Sequence, residues 1–412
     1  MKPTAFKEHI LQLSRIGIAL TGILDLDALL DLIVKSSREL TNSDAGSLYI
    51  VKGDELTFVI AQNDTLTKQL GSEKVRQLFK PFTLPVSADS LAGYVAMTGK
   101  QLNITDVDSI PENLSYHFKK EISDTARYEI RSMLLAPIKN PENKVLGVLQ
   151  LINAMDEDGK VIKFDENYEF LVNALASQAA IAIENARLTK ELQNAQLDTI
   201  FRLSMATEFR ESGDPLHICR TSEYSVVLAE GLKLPQEQID LMRQAAPLHD
   251  IGKLGLPDSI LKNEGILTID EMTLMKTHVK IGVKILENPR SKILKMAASI
   301  VSTHHEKFDG SGYPNGLKNT EIPVEGRIVA LADAIDAMTT PCSYRPSKNF
   351  SDISAELVQQ SSKQFDPAVV QCFLDQQEKI KKIFEDWRIF VDKQGKPDWS
   401  FVISWWKSQF LK

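Results

Sequence analysis

The chain has 412 residues, which is more than one ordinary domain holds, so two or three domains are expected. Hydrophobic residues make up 43% and charged residues 25%, as in ordinary globular proteins. The net charge of −7, from 48 basic and 55 acidic residues, argues against a nucleic-acid coat, whose surface is basic. No apolar run reaches the roughly 20 residues of a membrane span, and the N-terminus lacks the apolar core of a signal peptide. We therefore expect a cytoplasmic protein that binds neither nucleic acid nor membranes.

Residues 1–165 alternate between helical and strand patterns, with an amphipathic helix at 26–34. Alternating apolar residues bounded by polar turns predict strands at 47–51, 55–61, 132–138 and 145–153. The turn Lys52-Gly53-Asp54 joins the first two strands and predicts a hairpin. This order predicts an α+β domain of the sensory type, in which helices precede and follow an antiparallel sheet.

Several stretches of this first region carry a family resemblance, namely 44–49, 91–95, 104–106, 132–134 with 136–138, and 147–153. Their sequences and their order resemble a GAF domain. The resemblance implies a sensory domain that can take a small-molecule ligand.

Some GAF domains that bind cyclic nucleotides carry an Asn-Lys-Phe-Asp-Glu pattern, and this chain contains part of it. Asn153 and the run Lys163-Phe164-Asp165-Glu166 match, whereas Ala154 replaces the lysine that normally follows the asparagine. Two interpretations stay open. One is cyclic-nucleotide binding, and the other is a structural role in which Asn153 and Asp165 close a loop and cap the next helix.

Residues 166–210 contain neither proline nor glycine and predict one long linking helix. Apolar or small residues recur near heptad spacing at Leu171, Ala174, Ile181, Leu188, Leu192 and Ala195. Gln178 and Asn185 lie on the same seam, and one buried asparagine can fix the register of a two-stranded coiled coil. The seam predicts a homodimer through this helix. The alternative is a helix that packs on its own sheet, and each interpretation can hold for part of the helix.

Five of the chain's seven histidines lie between His217 and His305, in a region that reads as helix after helix. Imidazoles and carboxylates are the side chains that hold borderline divalent metals. Asp333 and Asp336 lie three residues apart and share a helix face. Burying so many ionisable groups without a metal would be costly. The cluster therefore predicts more than one metal ion, and two bound metals are a common device for cleaving phosphodiesters.

The runs 249–258 and 304–317 resemble the HD-GYP family, a branch of the HD phosphohydrolases. Further matching positions are Arg327, Asp333, Tyr344, Arg345 and 365–367. The resemblance covers about residues 197–375 and implies an all-α catalytic domain. It implies hydrolysis of cyclic di-GMP to the linear dinucleotide pGpG or onward to GMP, with two divalent metals, most often iron or manganese. The mixed nitrogen and oxygen ligands also admit zinc.

The same resemblance assigns the site residues. The implied metal ligands are His217, His249, Asp250, His278, His304, His305 and Asp333. Asp250 would bridge the two metals, and Lys253 would contact the scissile phosphate or assist the leaving oxygen. The implied substrate-binding residues are Gly312, Tyr313, Pro314, Arg345 and Lys348.

The chain departs from the family pattern at three places. Gly213 occupies the position where some members place a glutamate that binds a third metal, so a two-metal site is expected unless Glu211 or Asp214 substitutes. Cys342-Ser343 replaces the Arg-Pro that usually precedes the family tyrosine. Residues 376–412 carry all four tryptophans, and this extension is expected to pack on the catalytic domain or to bind a partner.

The predicted organisation is a GAF-like domain at 1–165, a linking helix at 166–210, a catalytic domain at 197–375 and a tryptophan-rich extension at 376–412. The leading hypothesis is a cyclic di-GMP phosphodiesterase regulated by the GAF domain. One alternative is a weakly catalytic binding protein that senses cyclic di-GMP or docks a diguanylate cyclase through the Gly312 loop. Another is a hydrolase of a different cyclic dinucleotide.

Overall fold

The structure is a computed structural model of the chain, and it describes residues 3–23, 25–111, 113–118, 128–211, 214, 216–263, 265–340, 348–387 and 399–410. The chain divides into two compact units, Met1–Leu192 and Gln193–Lys412. The first unit is α+β, a long helix follows, and the second unit is helical, which confirms the predicted fold class. No helix among the described residues combines the length and the apolar character that a membrane crossing requires.

The strands all belong to one antiparallel sheet in the first unit. They are β1 (Ser43–Lys52), β2 (Glu55–Asn63), β3 (Thr83–Pro85), β4 (Leu102–Ile104), β5 (Met133–Lys139), β6 (Val145–Met155) and β7 (Val161–Ile162). Their order across the sheet is β3-β2-β1-β6-β5-β4, and β7 pairs with β6. The helices of this unit are α1 (Pro3–Thr21), α2 (Leu26–Thr41), α3 (Asp64–Leu70), α4 (Ser72–Leu78) and α5 (Leu91–Thr98), followed by α6 (Glu166–Glu211).

Strand β1 begins at Ser43, four residues before the predicted strand at 47–51. The added residues include the polar Asp44, whose hydrogen-bonding groups find partners inside the fold. The Asp44 carboxylate accepts hydrogen bonds from the Thr65 hydroxyl at 2.8 Å and the Tyr128 hydroxyl at 2.6 Å. Arg38 donates to the Asp44 carbonyl at 3.0 Å. These long-range partners are invisible in a local pattern, so the pattern placed the start of the strand too late.

One face of the sheet is covered by α2 and by the first part of α6. Leu30 and Ile33 of α2 share a buried core with Leu171 and Leu175 of α6. Farther along α6, apolar side chains of the predicted seam are exposed, with Ile181 at 49%, Leu188 at 50% and Leu192 at 61%. The helix therefore packs on its own sheet as far as Ala186, and the exposed stripe overlaps this stretch at Ile181 and continues beyond it.

The other face of the sheet forms a second core with α5 and encloses a cavity of about 350 Å³. Aromatic rings line much of this cavity, namely Tyr49, Phe58, Phe79, Phe82, Phe118 and Tyr128. The rings of Phe58 and Phe82 stack with centroids 4.7 Å apart. Among the described residues that line it, none is a lysine, arginine, aspartate or glutamate. The cavity is therefore largely apolar.

Asn153 and Asp165 have the contacts expected for structural roles. Asn153 is buried in the left-handed conformation, with a φ of 55°. Its Oδ1 accepts from the Arg131 N–H at 2.8 Å, and its Nδ2 donates to the Glu129 carbonyl at 2.7 Å. The Asp165 carboxylate accepts from the Asn167 N–H at 2.8 Å, in the first turn of α6. These contacts close a loop and cap a helix.

The second unit contains the end of α6 and a succession of shorter helices. They are α7 (Leu216–Gly231), α8 (Gln236–Ala245), α9 (Asp258–Leu261), α10 (Ile269–Ile285), α11 (Lys292–Thr303), α12 (Val324–Thr339), α13 (Phe350–Gln360), α14 (Pro367–Asp375), α15 (Gln377–Trp387) and α16 (Trp399–Phe410). Tight 3₁₀ turns at Ala246–Leu248 and Ile251–Gly255 connect α8 to α9. The main core of the unit is formed by α7, α8 and α12 to α15.

The tryptophan-rich extension packs on the second unit. The Trp406 ring is fully buried and stacks on Phe201 of α6, with ring centroids 4.1 Å apart. Val402 and Trp387 are buried in the same apolar cluster, together with Leu216. Of the two alternatives for this segment, packing on the second unit is the one its described residues show.

Candidate metal centre

All the side chains predicted as metal ligands converge in the second unit, where they form two groups. The Asp250 group consists of Asp250, His278, His304 and His305, and the His217 group consists of His217, His249 and Asp333. Within each group, one ligand atom from every residue lies within 4.8 Å of the others. Side chains from five separate parts of the sequence therefore reach a common site.

The backbone around His249 and Asp250 explains how two neighbouring residues can both face the site. The 3₁₀ turn Ala246–Leu248 ends at His249, and the next turn starts after Asp250, whose φ and ψ are −106° and 15°. This bridge conformation interrupts the helical path. The two side chains consequently enter one cavity, which they could not do within a continuous helix.

Glycines let this turn lie directly against α10. A Cβ at Gly252 would come within 1.8 Å of the His278 carbonyl oxygen and 2.5 Å of the Gly282 nitrogen. Contacts that short with backbone atoms are impossible, so only glycine fits. The close approach brings Asp250 beside His278, which explains why a glycine follows the His-Asp pair in the sequence.

The two carboxylate oxygens of Asp250 face different histidines. Oδ1 lies 3.3 Å from His278 Nε2 and 3.5 Å from His304 Nε2. Oδ2 lies 3.2 Å from His249 Nε2, which belongs to the His217 group. A carboxylate in this position can share its oxygens between two ions.

Three of the histidines present their Nε2 atoms to the site because their Nδ1 atoms are bonded to backbone carbonyls. Nδ1 of His249 is 2.9 Å from the Ala246 carbonyl, Nδ1 of His278 is 2.7 Å from the Met275 carbonyl, and Nδ1 of His304 is 3.1 Å from the Ile300 carbonyl. A carbonyl can only accept, so Nδ1 carries the hydrogen and Nε2 keeps its lone pair. This is the usual arrangement for metal-binding histidines.

Several buried atoms of the site lack the partner that a metal would supply. Asp250 Oδ1, His278 Nε2 and His304 Nε2 are buried and make no hydrogen bond. In the His217 group, His217 Nε2 and His249 Nε2 face each other at 3.4 Å. Unpaired buried polar atoms are costly, so these orphaned atoms fit two divalent cations held by nitrogen and oxygen ligands.

Electrostatics favours positive charge in the same place. Burial opposes protonation of His217, but the hydrogen bond to Asp336 and the nearby carboxylates raise its pKa to about 10. Burial and the adjacent His304 hold the pKa of His305 well below its usual range, so that imidazole is neutral. The carboxylates that raise the pKa of His217 also favour a metal cation, which would replace the Nε2 proton of that imidazole on binding.

Asp336 orients a predicted ligand, which is a role the sequence did not reveal. Its Oδ2 lies 2.8 Å from His217 Nδ1, and Arg220 Nη2 donates to the same carboxylate at 2.9 Å. Burial opposes ionisation of Asp336, but Arg220 and His217 lower its pKa to about 2. The spacing of Asp333 and Asp336 placed both on one face of α12, yet only the fold distinguishes the ligand from the residue that orients the histidine.

Lys253 lies between two acidic side chains. Its ammonium is 2.7 Å from Asp250 Oδ2 and 2.6 Å from a Glu211 oxygen. Both Glu211 oxygens accept from this ammonium, at 2.6 and 2.7 Å. Glu211 was an alternative ligand for a third metal, but its carboxylate is instead occupied by Lys253.

The Gly312 loop is fixed against the site by specific contacts. The Tyr313 ring stacks on His305 with centroids 4.8 Å apart, and the Tyr313-Pro314 peptide bond is cis. The buried Glu306 carboxylate accepts from the Asn315 N–H at 2.7 Å. A Cβ at Gly312 would lie 2.2 Å from the Lys307 nitrogen, so this position also requires glycine. The loop therefore places an aromatic ring beside the metal ligands.

Of the two remaining predicted substrate residues, Arg345 and Lys348, the structure describes Lys348. Lys348 forms an ion pair with Glu356. Arg345, Tyr344, Cys342-Ser343 and Gly213 lie outside the described residues. Arg327 pairs with Asp366, whose carboxylate also caps α14 by accepting from the Ala368 N–H at 2.8 Å. Lys348 and Arg327 are thus each paired with an acidic side chain of the described structure.

We predict that Asp336→Asn weakens metal binding in the His217 group while the Asp250 group keeps its ion. Removing such a hydrogen-bonded orienting carboxylate costs about 10- to 100-fold in metal affinity. Metal analysis after dialysis should show the content falling from two ions toward one per chain. Asp240→Asn, which changes an exposed carboxylate bonded to Gln236, serves as the control and should leave the content unchanged. An unchanged content in Asp336→Asn would contradict the assigned role.

Comparison with known proteins identifies both halves of the chain. Residues 25–183 match the GAF domain family, and residues 175–369 match the HD domain family. The cyclic di-GMP phosphodiesterase of Thermotoga maritima is 40% identical over 194 residues, which cover 47% of this chain and 53% of that protein. The 3'3'-cGAMP-specific phosphodiesterase 2 of Vibrio cholerae is 37% identical over 195 residues, which cover 47% of this chain and 37% of that protein. The chain thus spans about half or less of the length of these two relatives.

A longer match is found with a probable cyclic di-GMP phosphodiesterase of Vibrio cholerae. It is 32% identical over 309 residues, which cover 69% of this chain and 69% of that protein. Both resemblances seen in the sequence are confirmed by these matches. The chain belongs to the HD-GYP family of HD-domain proteins, with a GAF domain in its first half.

Proposed function

We propose that the chain is a two-metal phosphodiesterase that hydrolyses cyclic di-GMP to pGpG or onward to GMP. The observation that carries the proposal is the position of Asp250, whose two oxygens face two separate groups of histidines. Relatives named as cyclic di-GMP phosphodiesterases support the choice of substrate. The proposed metals are iron or manganese, which the family resemblance implies and which imidazole nitrogens and carboxylate oxygens can bind.

Each part of the site has a distinct task in this proposal. When bound, the two ions would lower the pKa of a coordinated water and neutralise charge on the phosphate. The histidines and Asp333 hold that pair in place, and Asp336 fixes the orientation of His217. The Lys253 ammonium supplies positive charge to the scissile phosphate or the leaving oxygen, at a point next to Asp250. The Tyr313 ring offers an aromatic face on which a base can stack.

A second candidate substrate is another cyclic dinucleotide. It is favoured by the relative named as specific for 3'3'-cGAMP, which is 37% identical over 195 residues. Metal ligands recognise the phosphodiester and not the base, so the chemistry of the centre suits either nucleotide. A competition assay with both cyclic dinucleotides at equal concentration separates the two, since the preferred one is consumed first in proportion to its kcat/KM.

We predict that protein purified without air and loaded with iron or manganese converts cyclic di-GMP to pGpG or GMP. The variant His249→Ala/Asp250→Ala should lose at least about 1,000-fold in kcat, because both residues are predicted ligands of the same metal centre and the activity depends on that centre as a whole. Chromatography of the products measures both outcomes.

His9→Ala is the matched control for that experiment. It removes a histidine of α1, in the first unit, that contacts the Tyr168 ring, and should leave turnover intact. Absence of turnover in the metal-loaded wild type would refute the enzymatic proposal. Tight nucleotide binding without product would instead favour the sensor alternative.

For the GAF domain we propose an uncharged, largely apolar or aromatic ligand. The described lining of the cavity in the first unit contains one histidine, His117, but no lysine or arginine to neutralise a phosphate, and burying an unpaired anion is costly. The amide of Gln62 is engaged by Asp31 and Arg38, and Asn63 caps α3. Asn153 is likewise occupied by the loop it closes. A cyclic nucleotide is therefore a poor match for this cavity.

We predict that indole raises the thermal unfolding midpoint of the full chain, whereas cyclic AMP and cyclic GMP do not. A ligand that binds only the folded state stabilises it in proportion to its occupancy. Ala61→Phe, which fills the cavity from β2, should abolish the effect of indole, and Ala28→Phe on an exposed position of α2 should not. A midpoint raised by either cyclic nucleotide would contradict the assignment.

A homodimer through α6 is proposed on the exposed stripe of Ile181, Leu188 and Leu192. These residues follow the spacing of a coiled-coil seam, and a second copy of the helix carries the complementary stripe. Leu171 is excluded from the seam because it is buried in the core of its own sheet.

We predict that changing Ile181, Leu188 and Leu192 together to serine halves the mass measured by light scattering during gel filtration. The stripe would then lack the apolar area that association requires. Ile266→Ser/Ile269→Ser removes exposed apolar side chains from the second unit and should keep the dimer mass. A wild-type mass equal to that of one chain would refute the proposal.

A further inference from the structure

The last turn of α6 is attached to the turn that contains Lys253. Glu211, its final residue, accepts two hydrogen bonds from the Lys253 ammonium, at 2.6 and 2.7 Å. Arg210, the preceding residue, donates to the carbonyls of Lys253, Leu254 and Leu256. Two consecutive side chains therefore contact both the backbone and the ammonium of one segment.

Arg210 fixes that segment because it donates to two carbonyls of the short 3₁₀ turn Ile251–Gly255, those of Lys253 and Leu254, and to the Leu256 carbonyl just after it. Its guanidinium also pairs with Asp258 at 2.9 Å, at the start of α9. The planar, multiply bonding guanidinium holds its partners in a defined geometry. The backbone that carries Lys253 is thus tied to α6 independently of Glu211.

Glu211 keeps the ammonium from pairing with Asp250 alone. Lys253 is largely buried, and the carboxylates recorded in contact with it among the described residues are those of Asp250 and Glu211. The ammonium already lies 2.7 Å from Asp250 Oδ2, the oxygen that faces His249. Without Glu211, Asp250 would be its remaining carboxylate partner among the described residues, and the ammonium would lose the contact that holds it on its other side at the point from which it can reach a phosphate.

We infer that Glu211, supported by Arg210, is a positioning residue that holds Lys253 for phosphodiester cleavage, an inference that rests on the proposed function. The helix that carries both residues begins at Glu166 in the first unit. A displacement of the last turn of α6 would therefore change the position of the ammonium.

The inference is tested by Glu211→Gln in the wild-type chain and in a Lys253→Met background. In the metal-loaded wild type, we expect kcat to fall about 10-fold or more with KM changed less than about 2-fold. In the Lys253→Met background, the same substitution should change kcat less than about 2-fold, because the group it positions is already gone. Metal content should be equal in all four proteins.

Asp198→Asn is the matched control. It removes a carboxylate from the same helix, where Asp198 pairs with Arg202 one turn away, and should leave kcat unchanged. An equal loss of kcat from Glu211→Gln in both backgrounds would overturn the inference, and so would a loss of metal that accounts for the lower rate. No loss of kcat in the wild-type background would overturn it as well.

A second readout does not depend on turnover. Reductive methylation of Lys253, followed by mass spectrometry, should proceed at least about 3-fold faster in Glu211→Gln than in the wild type, because the ammonium is no longer held on two sides. The exposed Lys262 provides the internal reference in the same digest. If the wild type proves inactive, the proposed function fails. The methylation rate of Lys253 still shows whether Glu211 holds the ammonium in place. An unchanged methylation rate would reject the role.

Discussion

The carboxylate of Asp250 is the group on which the candidate metal centre depends. Its two oxygens lie 3.2 to 3.5 Å from the Nε2 atoms of three histidines carried by different segments of the second unit. Such an arrangement is electrostatically unfavourable without cations, because buried carboxylate and imidazole lone pairs face each other. The same arrangement becomes favourable when two divalent ions lie between them.

Two features of the surrounding backbone place that carboxylate next to the histidines. The break in helical geometry at Asp250 turns it into the cavity, and the contact of Gly252 with the backbone of α10 places it next to His278. Backbone carbonyls orient His249, His278 and His304, whereas the Arg220–Asp336 pair orients His217. The ligands are thus held by the rigid parts of the helices, which limits the reorganisation that metal binding requires.

Much of the site could be predicted from the sequence because its chemistry is concentrated in rare residues at recognisable spacing. The seven predicted ligands are the residues that the structure brings into two groups. Asp336 and Glu211 could not be assigned in the same way, since their roles depend on partners more than 40 residues distant in the chain. The start of β1 was misplaced for the same reason, because Asp44 finds Tyr128 and Thr65 only in the folded state. Local sequence patterns predict helices, strands and the residue types that can bind a metal. Contacts between distant parts of the chain decide which polar residue is placed as a metal ligand and which one orients a ligand.

Crystals of the protein grown with manganese, measured for anomalous scattering, address the central claim most directly. The account predicts two peaks per chain, about 3.5 to 4 Å apart, with one Asp250 oxygen on each ion and His305 and Asp333 on opposite ions. A single peak, peaks remote from these histidines, or both Asp250 oxygens on one ion would contradict the two-metal centre.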